Sequence, residues 1–123
     1  MRKVYTTCNG NPEDDRNGGE AAQRGVIMIT DKEKQNMRQF YRAVLMLKDE
    51  EECRRFFDDV ATIKEVIDLS ARFEVARMLD SGAVFSEISR ETGASSATIS
   101  RVNKCLTYGE GGYKTVIDRM KEE

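Results

Sequence analysis

Histidine and tryptophan are both missing from this 123-residue chain, and proline occurs once. Without an imidazole there is no Ser-His or Cys-His catalytic couple and no histidine ligand for a metal. The three cysteines, Cys8, Cys53 and Cys105, contain no Cys-x-x-Cys pair, so no zinc site is expected. An odd, widely spaced set of thiols fits a reducing cytoplasm better than a disulfide framework. No apolar run reaches the ~18 residues of a membrane helix. The amino terminus lacks the basic-then-apolar order of a secretory signal. A membrane partner is not expected, and the expected location is the cytoplasm. No GxxxxGK or GxGxxG phosphate loop occurs. No acid, base and nucleophile converge, so no catalytic residue is assigned and an enzyme is not expected. The formal net charge is only -2, so a case for nucleic acid must rest on a local surface.

What is present is a modest apolar fraction, 39%, beside 34% charged residues. That suffices for one domain with a thin core, and such chains often bury further apolar surface against a second copy. Residues 1–29 read differently from the rest. The stretch from Asn9 to Glu20 holds turn formers, charges and the lone Pro12, with no apolar period. It buries too little to offset its ordering entropy, so 1–29 is predicted to be a disordered leader and 30–123 the folded domain. Met28, just ahead of the first periodic segment, could serve as an alternative start.

From Asp31 onward the period is helical. Thr30 or Asp31 is placed to cap a first helix with apolar positions Met37, Phe40, Tyr41, Val44, Leu45 and Leu47. Asp49, followed by Glu50, Glu51 and Glu52, opens a short second helix carrying Cys53, Phe56, Phe57 and Val60. Thr62 and Glu65 have capping-box spacing and start a longer third helix, closed by Ser81-Gly82. Phe56, Phe57 and Phe73 are expected as core aromatics, and the paired acids Asp58-Asp59 and Glu122-Glu123 as solvated faces. After Tyr108, a Gly-rich stretch with no preceding strand is expected to be a connector. The final helix, Lys114 to Lys121, carries a narrow apolar stripe of Val116, Ile117 and Met120, expected to dock on the dimer core.

The segment Ala83 to Leu106 carries the functional signal. It reads as a short helix with Phe85 and Ile88 inward, a sharp turn at Gly93, and a second helix capped by Ser95 or Ser96. Ile99, Val102 and Leu106 form the inward face of that helix at i, i+3 and i+7. Its other face gathers Ser95, Ser96, Ala97, Thr98, Ser100 and Arg101, with Lys104 one turn on and Arg90 on the preceding helix. Short side chains let a backbone approach base edges in a major groove. Hydroxyls bond bases or phosphates, and Ala and Thr methyls can meet the thymine methyl. Helix amino-terminal N–H groups and the three cations suit phosphate. These residues are the candidate DNA-binding set. The leader could alternatively be an arm that touches DNA, and the hairpin could alternatively be a plain αα-hairpin with serine caps.

The stretch Met78 to Arg101, above all Glu91-Thr-Gly-Ala-Ser-Ser-Ala-Thr-Ile-Ser-Arg101, resembles the corresponding part of the Trp repressor. About two thirds of the chain, Gln39 to Met120, is more similar still to the YerC/YecD group of Trp-repressor-related proteins. Phe40-Tyr41, Glu51-Glu-Cys53, Arg55-Phe-Phe57, Arg72-Phe-Glu-Val-Ala76, Gly93-Ala-Ser95, Ala97 to Val102 and Leu106-Thr-Tyr-Gly109 carry the likeness. The resemblance implies an all-α, six-helix Trp-repressor-like fold with a helix-turn-helix in an intertwined homodimer. It implies a cytoplasmic bacterial repressor that binds a double-stranded DNA operator through Ser96, Ala97, Thr98 and Ser100.

It also raises L-tryptophan as a corepressor. Arg72 and Arg101 match the two arginines that flank the indole in the Trp repressor, and a guanidinium can stack on an aromatic face. Val102, however, stands where that family has glycine, and its β-branched side chain occupies indole space. Cys105 stands where a hydroxyl would hold the ligand's amino group. These four residues are the possible ligand pocket. The reading of the residues disfavours tryptophan, so no cofactor is assigned. The simpler roles are an Arg72 pair with Asp68 at i, i+4 and an Arg101 contact to phosphate. The alternative function, suggested by the acidic net charge, is a helical dimeric interaction module without DNA binding.

Overall fold

The computed structural model describes residues 3–6 and 26–123, with side chains from Met28 onward. Two strands, β1 (Lys3–Thr6) and β2 (Val26–Ile29), pair antiparallel with Lys3 opposite Ile29 and Thr6 opposite Val26. The expectation of a disordered leader therefore does not hold at these two segments. They are rich in the β-branched and aromatic residues Val4, Tyr5, Thr6, Val26, Ile27 and Ile29, which favour extended backbone. Residues 7–25, with Cys8 and Pro12, lie outside the described residues.

The chain divides into two compact units at Val66–Ile67. In the first, α1 (Asp31–Leu45) starts where the Thr30 hydroxyl accepts the Glu33 N–H at 3.0 Å. Helix α2 (Glu50–Val60) starts where Asp49 Oδ1 accepts the Glu52 N–H at 2.8 Å, and Glu52 Oε1 accepts the Lys48 N–H at 3.4 Å. Each cap satisfies a backbone donor that lacks an intrahelical partner. Phe40 of α1 meets Phe56 and Phe57 of α2 with ring centroids 5.9 and 6.5 Å apart. These three rings form a small aromatic cluster, yet no residue of α1 or α2 is fully buried. Leu45 is 77% exposed.

Helix α3 (Ile63–Asp80) opens on the expected capping box. The Glu65 N–H donates to Thr62 Oγ1 at 3.2 Å and the Thr62 N–H to Glu65 Oε1 at 2.9 Å, which holds the Glu65 carboxyl below its ordinary pKa. Its early apolar residues are open to solvent, with Ile63 70% exposed. The helix ends at a left-handed Gly82, where the Ala83 N–H returns to the Met78 carbonyl at 3.0 Å.

The second unit holds α4 (Phe85–Thr92), α5 (Ser96–Tyr108), α6 (Gly112–Lys121) and the rest of α3. Its core is Val75 and Ala76 from α3, Ile88 from α4, Ile99 and Val102 from α5, and Ile117 from α6. Phe73, Met78, Leu79, Ala83, Ala94 and Tyr113 are partly buried around it. Phe73 stacks on Tyr113 with centroids 6.5 Å apart.

Asp80 ties α3 to α6. Its carboxylate takes Lys121 Nζ at 2.6 Å and Lys114 Nζ at 3.0 Å, and its side chain is only 10% exposed. Lys114, Ile117 and Lys121 share one face of α6, so an apolar anchor is flanked by two cations. A carboxylate at a helix carboxyl terminus opposes the dipole, and the two ammonium groups offset that cost. They hold the Asp80 pKa below its ordinary value, Lys121 first and Lys114 second.

Two details differ from the sequence reading. Phe85 is 40% exposed, because burial of Ile88 satisfies the inward side of a helix only two turns long. Leu106 is half-buried. Separately, in α6 Ile117 is buried within this chain, while Val116 and Met120 are exposed.

Ile99→Ala is expected to lower stability by about 2–5 kcal/mol, measured by urea unfolding, because it removes a fully enclosed branched side chain. Asp80 contributes stability that is fully present above the unfolded carboxyl pKa and lost as pH falls through the lower folded value. The Tm of the wild type should therefore fall as pH drops through 3.8 and below. Asp80→Asn should start from a lower Tm at neutral pH and lose that part of the pH dependence.

Candidate nucleic-acid interface

The turn between α4 and α5 is built from local chemistry. Gly93 adopts φ +75°, a left-handed conformation that L side chains rarely take, and its N–H donates to the Ser89 carbonyl at 2.9 Å. Thr92 reinforces it, since its hydroxyl donates to the Ile88 carbonyl at 2.7 Å and accepts the Ala94 N–H at 3.1 Å. Ser95, rather than Ser96, is the cap of α5. Its Oγ accepts the Thr98 N–H at 3.2 Å and donates to Thr98 Oγ1 at 3.1 Å. Beyond α5, Gly109 is required by space, because a Cβ there would collide with the Cys105 carbonyl.

Burial of Ile99 and Val102 sets the rotation of α5. With 3.6 residues per turn, the opposite face must point outward. Ser95, Ser96, Ala97, Ser100, Arg101 and Lys104 are all exposed, as is Arg90 on α4. Thr98 is the exception: it is half-buried and bonded to Ser95. The exposed Asn103, three residues past Ser100, extends the Ser96–Ser100 row and was missed by the sequence reading, although the i+3 step was the available signal. Helix α5 carries two cations and no carboxylate, in a chain whose net charge is negative. A helix of 10–12 Å diameter fits a B-DNA major groove of roughly 12 Å.

The four residues of the possible ligand pocket differ in exposure. Val102 is 4% exposed and belongs to the hydrophobic core. Arg72 is half-buried and close enough to Tyr113 for its charge to act on the phenol, whose pKa burial raises. No ion pair joins Arg72 to Asp68 among the described residues, so that expected pairing is corrected. Arg101 is exposed. Cys105 is half-buried, and Cys53 is a free thiol. A separate open groove runs between α3 and α6 over Met78, Ile117 and Met120. Among the described residues no cluster of metal-ligating side chains occurs, and no helix is long and apolar enough to cross a membrane.

Two helices joined by a left-handed glycine, the second inward at Ile99 and Val102 and outward at short polar residues, define a helix-turn-helix. Residues 35–121 match the family model of the Trp repressor protein. The uncharacterized protein YerC of Bacillus subtilis is 55% identical over 84 residues, 68% of this chain and 81% of that protein. The crystal structure of a TrpR-like protein from Eubacterium eligens matches with a TM-score of 0.69 and 49% identity, over 71% of this chain and 90% of that one. A candidate Trp repressor from Staphylococcus aureus matches with a TM-score of 0.69 and 40% identity, over 76% and 97%. The chain belongs to the Trp repressor family, a regulatory and non-enzymatic one.

Gly93→Ala should destabilise the protein by about 1–2 kcal/mol, because a Cβ is strained at positive φ. The cost should appear in chemical denaturation. An unchanged midpoint would mean that the turn does not need this conformation.

Proposed function

We propose that this protein is a sequence-specific, double-stranded DNA-binding transcriptional repressor of the cytoplasm that acts as a homodimer. Its reading surface is the outward face of α5: Ser96, Ala97 and Ser100, flanked by Ser95, Thr98, Arg101, Lys104 and Arg90. The observation that carries this reading is the exposure of short hydroxyl and methyl side chains on α5. They stand opposite the helix's buried Ile99 and Val102, in a chain of the Trp repressor family. Arg101, Lys104 and Arg90 supply phosphate contacts, which position a protein without reading sequence.

The homodimer is supported by apolar surface that the single chain leaves open. Tyr41 and Leu45 on α1, Val60 on α2, and Ile63 and Ile67 on α3 are all exposed. A two-fold mate covers such surface with itself and sets two recognition helices about one helical turn of DNA apart. L-tryptophan is not required, since Val102 packs into the core where an indole would need room. The net charge of -2 favours the second reading, a dimeric interaction module without DNA binding.

Selection from a random duplex pool, followed by titration of the winners, decides between them. A roughly palindromic site should emerge, and its affinity should fall steeply with salt. Arg101→Ala and Lys104→Ala should weaken all duplexes alike and each reduce the salt slope by about 1. Added L-tryptophan should leave the affinity unchanged. If no duplex outcompetes a scrambled one at moderate salt, the interaction-module reading replaces this one.

A further inference from the structure

Four hydroxyls crowd the first two turns of α5, and they are not equivalent. Those of Ser96 and Ser100 are exposed, and neither makes a hydrogen bond to another described residue. Those of Ser95 and Thr98 are bonded to each other at 3.1 Å, and Ser95 Oγ also accepts the Thr98 N–H at 3.2 Å. Thr98 is drawn half inside, whereas Ser96 and Ser100 are not.

Resting on the DNA-binding reading above, we propose that the Ser95–Thr98 hydroxyl pair makes Thr98 a positioning residue, and that Ser96 and Ser100 determine which bases are read. A hydroxyl is one donor and two acceptor sites. Ser95 uses its donor and one acceptor site on Thr98, a closed pair in which each bond polarises the other. This pair orders the amino-terminal turn and sets the direction in which Ser96, Ala97 and Ser100 are presented. Thr98 contributes to every duplex equally, through the helix. Ser96 and Ser100, with donors and acceptors free, distinguish one base edge from another.

The roles separate in a panel of single-base variants of the selected site. Ser96→Ala and Ser100→Ala should each relax discrimination at one or two base positions, by about tenfold. Ser95→Ala and Thr98→Val should instead lower affinity for all duplexes by about fivefold, with the order of preference intact. Because the two groups act as a pair, the double variant should lose no more than the worse single one. Ser95→Asn, which keeps a capping oxygen, should restore binding. Thr98→Val relaxing discrimination at one base, or the two losses multiplying, would overturn the proposal.

Amide hydrogen exchange of the free protein provides a readout that needs no DNA. The residue-98 N–H should exchange faster in Ser95→Ala and in Thr98→Val, and at the wild-type rate in Ser96→Ala. An unchanged rate in the first two removes the pairing even if the DNA reading stands. Wild-type protein that prefers no duplex removes the readers even if the exchange result stands.

Discussion

Everything that the second unit presents to its surroundings depends on the enclosure of Ile99 and Val102 among Val75, Ala76, Ile88 and Ile117. These two side chains sit three residues apart on α5 and lock its rotation about its own axis. Once they are inside, Ser96, Ala97, Ser100, Arg101 and Lys104 have nowhere to go but out. Close-packed interiors do not tolerate partial rotations, because each would open a void on one side and a clash on the other. The exposed polar face of α5 is in this sense a by-product of the core.

The same core is small, and its size shapes the rest of the molecule. In the described chain six residues from α3, α4, α5 and α6 form the cluster, and α1 and α2 add no fully buried side chain. Asp80, clamped by Lys114 and Lys121, supplements a thin apolar contact between α3 and α6 with charge. The exposed apolar side chains of α1, α2 and early α3 are the counterpart of that thinness. A chain with 39% hydrophobic residues has apolar surface left over after folding alone. Exposed apolar surface of this kind is where chains that pair bury further area.

Much of the fold was legible because its punctuation is local. Thr30, Asp49 and the Thr62–Glu65 box cap helices with bonds that span three residues. Gly82 and Gly93 take the positive φ expected at their turns. Such features need no knowledge of the rest of the chain. The misreadings share the opposite character. Phe85 looked like a core residue because its neighbour Ile88 is one, but whether a helix buries one side chain or two depends on what lies across from it. Arg72 and Asp68 have the spacing of an i, i+4 pair, yet no ion pair joins them among the described residues. The strands at Lys3–Thr6 and Val26–Ile29 escaped notice because each is short and the two are far apart in sequence.

The amino-acid order by itself determined the helices, their ends and the two periodic faces of α5, because those follow from bonds and spacings within a few residues. It also narrowed the chemistry, since a chain without histidine or clustered cysteines has little with which to catalyse or bind metal. Only the tertiary structure decided which side of each helix is covered and how the hydroxyls of α5 are divided. It closed Val102 into the core, turned Thr98 half inside and left Ser96 and Ser100 exposed. The physical reason is that burial is a property of neighbours brought together from distant parts of the chain, and a period in the sequence names a face without naming what will cover it.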